Sequence, residues 1–204
     1  MRIVKQADVT IREIILALKR GETVVYPTET CYGLGCDSTN ESAVKKVFAI
    51  KKRPLEKSVL VLMADIDMAK SYVVWNNTIY ELAKKYWPGP LTIVVPACER
   101  GEVLPPGVMG QDGLIAFRIS SHPLAFAICR ALGRPLVSTS ANLAAEPEPY
   151  NIDNVVKMFE QETAQPDIVI DAGELTHRPP TTIVRIIEDK MEVVRRGELL
   201  ISNY

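Results

Sequence analysis

The chain has 204 residues, of which 47% are hydrophobic, so it is long enough to bury the core of one large domain. Its 24 lysines and arginines nearly balance its 25 aspartates and glutamates, which excludes a protein that coats nucleic acid through its overall charge. The composition also excludes wholesale disorder, and no apolar run approaches the roughly 20 residues of a membrane span.

The N-terminal segment and the cysteines bear on the cellular compartment and on metal binding. Residues 1–8 contain no apolar stretch long enough for a signal peptide, so we expect a cytoplasmic protein that makes no membrane contact. Its four cysteines are then expected to be reduced. Cys31 and Cys36 lack the CxxC spacing, and only His122 and His177 could complete a ligand set. We therefore predict no metal site made by protein ligands alone.

Hydrophobic periodicity and capping signals predict alternating helices and strands in the first part of the chain. Thr10 and Glu13 form a capping box and Gly21 follows the helix, while Thr78 and Glu81 form a second capping box. The elements predicted before residue 91 are a helix at 10–20, a strand at 23–26, a polar break at 27–30, a glycine-bearing stretch at 31–36 that backbone or ligand could approach closely, a helix at 41–50, a strand at 59–63, a helix from Asp65, a helix at 78–86 and a rigid turn at 87–90.

The second part of the chain continues this alternation and ends in a hairpin. Its predicted elements are a strand at 91–95, a long exposed loop at 97–113, a strand at 114–119, a helix at 123–132, a strand at 136–138, a mobile segment at 144–149, a helix capped by Asn151 or Asp153, a strand at 168–170 and a hairpin of 182–187 with 191–195. Long loops such as 97–113 are often lids. The order predicts one domain over residues 1–204, with helices packed on a mixed sheet.

A cationic turn lies between the helix at 41–50 and the strand that follows it. Four cations fall within the seven residues from Lys51 to Lys57. Lys51 continues the apolar face of the helix, so it must reach out from the edge of the core or meet an anion. Pro54 disfavours helical geometry at Arg53, where the helix should end. The alternative is a solvated lysine-rich turn, since charge runs usually face water.

Hydroxyls and arginines stand at other predicted strand ends. A strand opens into the polar run Ser138, Thr139, Ser140, Ala141 and Asn142. Such a run can donate hydrogen bonds to carboxylates or phosphates, or it can form a turn that satisfies its own backbone. Arg118 is either an anion clamp or half of a buried salt bridge. Because open α/β sheets bind ligands outside strand ends, these sets together favour an anion-binding cavity.

The sequence lacks the motifs of several common enzyme classes. It contains no P-loop, no HExxH and no GxSxG, and Gly33-Leu34-Gly35 lacks the third glycine of a dinucleotide-binding fingerprint. The two histidines have no evident nucleophile partner. These patterns give no support to a nucleophilic or dinucleotide-dependent enzyme.

Several blocks of the sequence resemble motifs of the YrdC family, the threonylcarbamoyl-AMP synthases of tRNA modification. The blocks are Tyr26–Gly35, the KxR pair Lys51 and Arg53, Trp87–Thr92, Ser138–Asn142, Thr181–Val184 and Arg195–Gly197. They are collinear with the family and cover nearly the whole chain, so the resemblance is more specific than any single motif. It implies the short single-domain form of an α/β three-layer YrdC-like fold, with a twisted mixed open sheet flanked by helices around a wide basic cavity.

The resemblance also implies a nucleotidyltransferase reaction, in which L-threonine, bicarbonate and ATP give threonylcarbamoyl-AMP and pyrophosphate. Mg²⁺ would be carried by the ATP phosphates. tRNA would bind weakly or through partner proteins, and a separate threonylcarbamoyl-transfer complex would modify adenosine. Carried over by position, the threonine-binding residues are Thr30, Arg118, Ser138 and Thr181, and the ATP-binding residues are Lys51, Arg53, Lys57, Ser140, Asn142 and Arg195.

This reaction fits the residues, because a threonyl carbamate oxygen can attack the α-phosphate directly and needs no protein nucleophile. Catalysis would then consist of positioning the reactants and neutralising their charge. The sequence departs from the family pattern at Leu62, Leu114, Ala144-Ala145 and Arg185. Two alternatives stay open: a non-synthetic paralogue, and an RNA-binding or ribosome-assembly factor that uses the same basic cavity. Retention of the KxR and SxN residues favours the synthase over the paralogue.

Overall fold

The computed structural model describes residues 1–188 and 190–201. Its helices are α1 (Ile11–Lys19), α2 (Glu41–Lys51), α3 (Ile66–Lys70), α4 (Asn77–Tyr86), α5 (Glu99–Glu102), α6 (Pro123–Leu132) and α7 (Ile152–Phe159). Its strands are β1 (Arg2–Lys5), β2 (Val24–Pro27), β3 (Tyr32–Gly35), β4 (Val61–Leu62), β5 (Leu91–Pro96), β6 (Leu114–Arg118), β7 (Leu136–Val137), β8 (Thr139–Ser140), β9 (Ile168–Asp171), β10 (Thr182–Ile187) and β11 (Lys190–Arg195). The predicted α/β class is confirmed.

The strands form two sheets, whereas the alternation of elements predicted one. The five-stranded sheet has the order β1-β9-β2-β3-β8, and the six-stranded sheet has the order β11-β10-β5-β6-β4-β7. Both are mixed: β9 is parallel to β1 and β2, and β10 is parallel to β5, while β2–β3 and β5–β6 are antiparallel. Strands as short as β4, β7 and β8, with two residues each, carry no periodicity from which this division could be predicted.

One short stretch of chain belongs to both sheets. β7 pairs with β4 in the six-stranded sheet, and β8 pairs with β3 in the five-stranded sheet. Ser138 lies between them, and its backbone N–H donates to the Leu60 carbonyl at 3.0 Å. The two sheets therefore meet at Ser138.

Gly35 is required where β3 meets this stretch. A Cβ atom on Gly35 would lie 2.1 Å from the Val137 carbonyl oxygen, which is backbone and cannot rotate away. The Val137 N–H donates to the Cys36 carbonyl at 2.9 Å, so the two backbones are held at this separation. A close approach of this kind is a common reason for glycine within a strand.

The predicted helix starts and ends are largely reproduced by the observed caps. The Thr10 side chain accepts from the Glu13 N–H, Asn151 caps α7, and Gly133 ends α6 in the left-handed region. The second capping box was wrong: α4 is capped by Asn76, whose Oδ1 accepts from Ile79 N at 2.9 Å. Asparagine is as good a cap as threonine, and here it precedes the predicted start by two residues.

The segment predicted to be a long exposed loop is packed, and the segment predicted to be mobile is hydrogen-bonded at its two ends. In the segment 97–113, Leu104 and Val108 are 3% and 0% exposed, and the backbone of Gly107 lies against the ring of Phe48. This apolar content makes the segment part of the core rather than an exposed lid. The segment 144–149 is held at both ends, since Ala144 N donates to the Lys51 carbonyl at 2.9 Å and the Pro149 carbonyl accepts from Tyr32 N at 3.0 Å.

We predict that Gly35→Ala destabilises the fold strongly, because the added methyl group must push the Val137 backbone away from β3. Overpacking of a tight site costs roughly 1–3 kcal/mol, and a backbone clash belongs at the upper end of that range. Urea denaturation measures the loss. Gly33→Ala is the matched control, since its Cβ would meet the Thr28 methyl group at 3.2 Å. Equal stability of the two variants would contradict the close approach.

Candidate active site

A cavity of about 230 Å³ opens where the two sheets meet. Its wall draws on β3, β5, β6 and β10 and on the stretch around Ser138, so both sheets contribute. The charged residues of the wall are Arg53, Arg118, Arg195 and Glu148. Glu29, just behind the wall, offsets the charge of Arg118, so Arg53 and Arg195 against Glu148 leave the cavity net positive, which favours an anionic ligand.

The cavity gathers most of the predicted site residues. All four predicted threonine-binding residues and three of the predicted ATP-binding residues line it: Thr30, Arg118, Ser138, Thr181, Arg53, Ser140 and Arg195. The other three predicted ATP-binding residues, Lys51, Lys57 and Asn142, lie outside the wall.

Arg118, at the end of β6, is one of the most enclosed cations in the cavity. It forms an ion pair with Glu29, and the two side chains are only 4% and 9% exposed. Ser120 Oγ donates to the other Glu29 oxygen at 2.5 Å. Arg118 Nε is buried without a hydrogen-bond partner. Of the two sequence-based interpretations, the buried salt bridge is present, and the Nε–H of Arg118 has no acceptor within the described residues.

Arg195, at the end of β11, is fixed against Thr181. Its Nε and Nη2 donate to the Thr181 carbonyl at 3.1 and 2.9 Å, and Nη2 also lies 2.9 Å from Thr181 Oγ1. Thr181 Oγ1 is in turn 2.9 Å from Thr92 Oγ1 on β5. Burial lowers the pKa of Arg195, but a guanidinium group stays charged in proteins. The arrangement holds a cation and two hydroxyls in fixed positions.

Lys51 lies behind the cavity wall rather than in it. It is 2% exposed, and its Nζ donates to the carbonyls of Ser140 and Asn142 at 2.5 and 2.8 Å and to Asn142 Oδ1 at 3.0 Å. The Asn142 amide donates to the Glu146 carbonyl. Burial first, and the charge of Arg53 second, lower the pKa of Lys51 to about 8. Lys51 and Asn142 therefore shape the chain that presents Ser140.

Arg53 faces the cavity because the chain turns sharply just before it. Lys52 adopts the left-handed region at φ 50°, which ends α2, and its side chain pairs with Glu162 at 2.7 Å. Arg53 Nε donates to the Lys57 carbonyl at 2.6 Å, and Nη2 donates to the Ser58 carbonyl at 3.0 Å. Lys57 is exposed, and in this structure its backbone carbonyl, not its ammonium group, contacts Arg53.

Several residues of the site were not singled out from the sequence. Glu29 and Thr28 lie in the Tyr26–Gly35 block, but neither was given a role of its own, although Thr28 Oγ1 lies 3.1 Å from Thr30 Oγ1. Glu148 fell in the segment predicted to be mobile, and Thr92 fell in a strand. For Glu148, the signal available in the sequence was an acidic residue within a segment bounded by prolines. The residues that depart from the family pattern, Leu62, Leu114, Ala144, Ala145 and Arg185, lie outside the cavity wall.

Comparisons with known proteins agree with this architecture. A family model for Sua5, YciO and YrdC proteins, described as telomere recombination, matches residues 16–197. The chain belongs to this family. A protein of Vibrio vulnificus strain YJ016 named threonylcarbamoyl-AMP synthase is 36% identical over 174 residues, which are 83% of this chain and 90% of that protein.

Solved structures of the Sua5/YciO/YrdC family superpose closely on the chain. P. abyssi Sua5 complexed with L-threonine matches 96% of this chain with a TM-score of 0.82 and 30% identity. The match covers 57% of that Sua5 chain, so this chain spans less than two thirds of its length. E. coli YciO matches 96% of this chain and 94% of its own, with a TM-score of 0.82 and 25% identity.

We predict that Lys51→Met lowers stability even without ligand, because it removes the donor of two buried hydrogen bonds to Asn142 and of a part-buried one to Ser140. Each buried acceptor that loses its partner costs roughly 1–3 kcal/mol, partly offset here because the variant no longer buries a charge. Thermal melting without nucleotide measures the effect. Lys45→Met is the control, since Lys45 is an exposed residue of the same helix. Equal melting temperatures would show that Lys51 does not hold the 140–142 segment.

Proposed function

We propose that this member of the Sua5/YciO/YrdC family is an L-threonylcarbamoyladenylate synthase that uses L-threonine, bicarbonate and ATP. The observation that carries the proposal is one cavity that contains Thr30, Arg118 and Ser138 together with the cations Arg53 and Arg195. A carboxylate and a triphosphate are the two anions that such a pair of cationic sites would accept. The Vibrio vulnificus relative named for this product supports the assignment.

The geometry favours direct phosphoryl-group chemistry without a protein nucleophile. Cys31 lines the cavity, but burial first and the charge of Glu148 second raise the pKa of its thiol to about 12. It is therefore a neutral thiol near pH 7 and a poor nucleophile. The two histidines are used elsewhere: His122 caps α6, and His177 stacks on Tyr150 with 3.9 Å between ring centroids.

The reaction can be written as two balanced steps in which the residues of the cavity only bind and orient the reactants. The amine of threonine attacks bicarbonate, water leaves, and a carbamate forms. A carbamate oxygen then attacks the α-phosphorus of ATP, the bond to the β-phosphate oxygen breaks, and pyrophosphate leaves with the electron pair. Arg53 and Arg195 neutralise phosphate charge, while Arg118, Thr30 and Ser138 orient threonine. Positioning of two bound reactants and fixed charges is sufficient catalysis for such a transfer.

Mg²⁺ belongs to this proposal as an ion that enters with ATP. The oxygen-rich wall fits a hard cation, since it offers hydroxyl groups and the carboxylate of Glu148. Among the described residues, no group of three or more His, Cys, Asp or Glu could hold a metal ion. The ion would neutralise phosphate charge, and the residues of this chain would fix the position of the nucleotide.

The proposal extends to location and to the later steps. The four cysteines are free, as they would be in a reducing compartment, which supports a cytoplasmic site of action. None of the helices in the described residues is sufficiently long and apolar to span a membrane. A net charge of -1 supports weak tRNA binding, with partner proteins transferring the threonylcarbamoyl group.

We expect the protein to form an adenylate and pyrophosphate only when ATP, threonine and bicarbonate are all present, because the carbamate is the attacking group. Mass spectrometry of the adenylate and a pyrophosphate assay measure this. Serine should be a poor but detectable substrate, since a pocket discriminates one methyl group by only roughly 1–3 kcal/mol. A non-synthetic paralogue or an RNA-binding factor would make no pyrophosphate. Full ATP turnover without threonine would contradict the proposal.

Arg53→Ala should lower the rate of adenylate formation by about tenfold to a hundredfold, because a charge-assisted hydrogen bond contributes roughly 1.5–3 kcal/mol. It should also shrink the rise in melting temperature that ATP induces, since ligand stabilisation follows affinity. The melting temperature without ATP falls slightly, because two hydrogen bonds to carbonyls are lost. Arg53→Lys should be intermediate, as lysine lacks the planar fork. Lys52→Ala is the control, and identical behaviour of the two alanine variants would exclude an ATP contact at Arg53.

A further inference from the structure

Glu148 is the anion in the wall of a cavity whose other charged wall residues are arginines. Its position is fixed by the two residues that follow it. The carbonyl of the next residue, Pro149, accepts from Tyr32 N at 3.0 Å, and the Tyr150 carbonyl accepts from Leu175 N at 2.7 Å. Within the described residues its carboxylate has no hydrogen bond or ion pair of its own. A half-buried carboxylate held at a cavity wall without a partner is a ready ligand for a cation.

The nearby acid Glu29 is not available in the same way. One of its oxygens is bound by Arg118, and the other accepts from Ser120 Oγ at 2.5 Å. Both oxygens are thus consumed within the protein. The free carboxylate oxygens of this cavity are therefore those of Glu148.

Glu148 lines the same cavity as Arg53 and Arg195, the cations of the proposed phosphate site. Burial lowers the pKa of Arg195, and the charge of Glu148 is the strongest influence that opposes this shift. Glu148 acts in the same upward direction on the pKa of Lys51, whose environment is dominated by burial and by Arg53. Glu148 thus influences the pKa of Arg195 and of Lys51, which lies behind Arg53. It is therefore near the cations that would bind the triphosphate.

This placement creates an electrostatic conflict in the proposed ATP complex. A carboxylate next to a triphosphate repels it, and the repulsion is stronger in a partly buried site than in water. A divalent cation between them turns the repulsion into attraction. Mg²⁺ is usually held by one or two carboxylates together with substrate phosphates, which is the donor set that this site would present.

We propose that Glu148 is the protein ligand, direct or through water, for the Mg²⁺ that accompanies ATP, and that it makes the site select Mg·ATP over metal-free ATP. This inference rests on the proposed function, because it assumes that ATP occupies the cavity. It adds a specificity-determining residue that makes no contact with threonine.

A competing occupant for Glu148 is the α-ammonium group of threonine. The chemistry disfavours this choice, since a carboxylate partner stabilises the ammonium form and opposes the deprotonation that carbamate formation needs. The threonine-binding alternative remains distinguishable, because it predicts a change in threonine affinity.

The test compares the wild type with Glu148→Gln by calorimetric titration with ATP, once with Mg²⁺ and once with a chelator, in the absence of threonine. The wild type should bind Mg·ATP more tightly than metal-free ATP by about tenfold, the effect of one favourable charge contact of about 1.4 kcal/mol. Glu148→Gln should bind metal-free ATP more tightly than the wild type does, and its preference for Mg²⁺ should largely vanish. Glu146→Gln is the control, since Glu146 is exposed in the same segment.

The outcomes separate this inference from the function on which it rests. Failure of the wild type to bind Mg·ATP would overturn the proposed function and this inference together. If the wild type binds Mg·ATP and Glu148→Gln keeps the same preference for Mg²⁺, the inference is overturned but the proposed function is not. In a separate titration with threonine, a loss of threonine affinity in Glu148→Gln, with the Mg²⁺ preference intact, would overturn the inference and assign the carboxylate to threonine. Because the Glu148 carboxylate makes no hydrogen bond within the described residues, the amide variant should fold, and its melting temperature checks this.

Discussion

The structure depends on the ammonium group of Lys51, which binds the carbonyls of Ser140 and Asn142 and the Asn142 side chain from within the core. The chain that it holds has just crossed from the six-stranded sheet to the five-stranded sheet. Fixing this crossing fixes the hydroxyl groups of Ser138 and Ser140 in the cavity wall. A buried lysine is costly unless its donors are satisfied, and here three oxygen acceptors satisfy them.

The same interaction explains the spacing of the KxR and SxN motifs in physical terms. Lys51 is the last residue of α2 and points inward, whereas the left-handed residue Lys52 turns the chain so that Arg53, two positions later, faces the cavity. The asparagine of SxN binds Lys51, and the serine of SxN lines the cavity. One lysine–asparagine contact therefore orients an arginine and a serine toward the ligand, and it does so before any ligand arrives.

The sequence predicted local features well and long-range pairings poorly. The cap at Thr10 and the end of α6 at Gly133 follow from patterns within a few residues. Lys51 was expected to reach out from the edge of the core or to meet an anion, and this was wrong: it is buried and binds neutral carbonyl and amide oxygens. The Arg118–Glu29 ion pair joins residues 89 positions apart. From the sequence, a salt bridge at Arg118 was therefore only one of two interpretations, and its partner could not be identified. The packing of 97–113 and the separation into two sheets depend on tertiary contacts in the same way. Most of the cavity residues were found through motif resemblance, and Glu148, which belongs to none of those motifs, was missed.

The central claim is that fixed charges and orientation accomplish adenylation directly, with no covalent enzyme intermediate. Exchange of labelled pyrophosphate into ATP tests it most directly. With ATP and pyrophosphate alone, the account predicts no exchange, because no protein group displaces pyrophosphate. Exchange should begin when threonine and bicarbonate are both added. Exchange at a comparable rate with ATP alone would contradict the account, since it would require an adenylated residue of the protein.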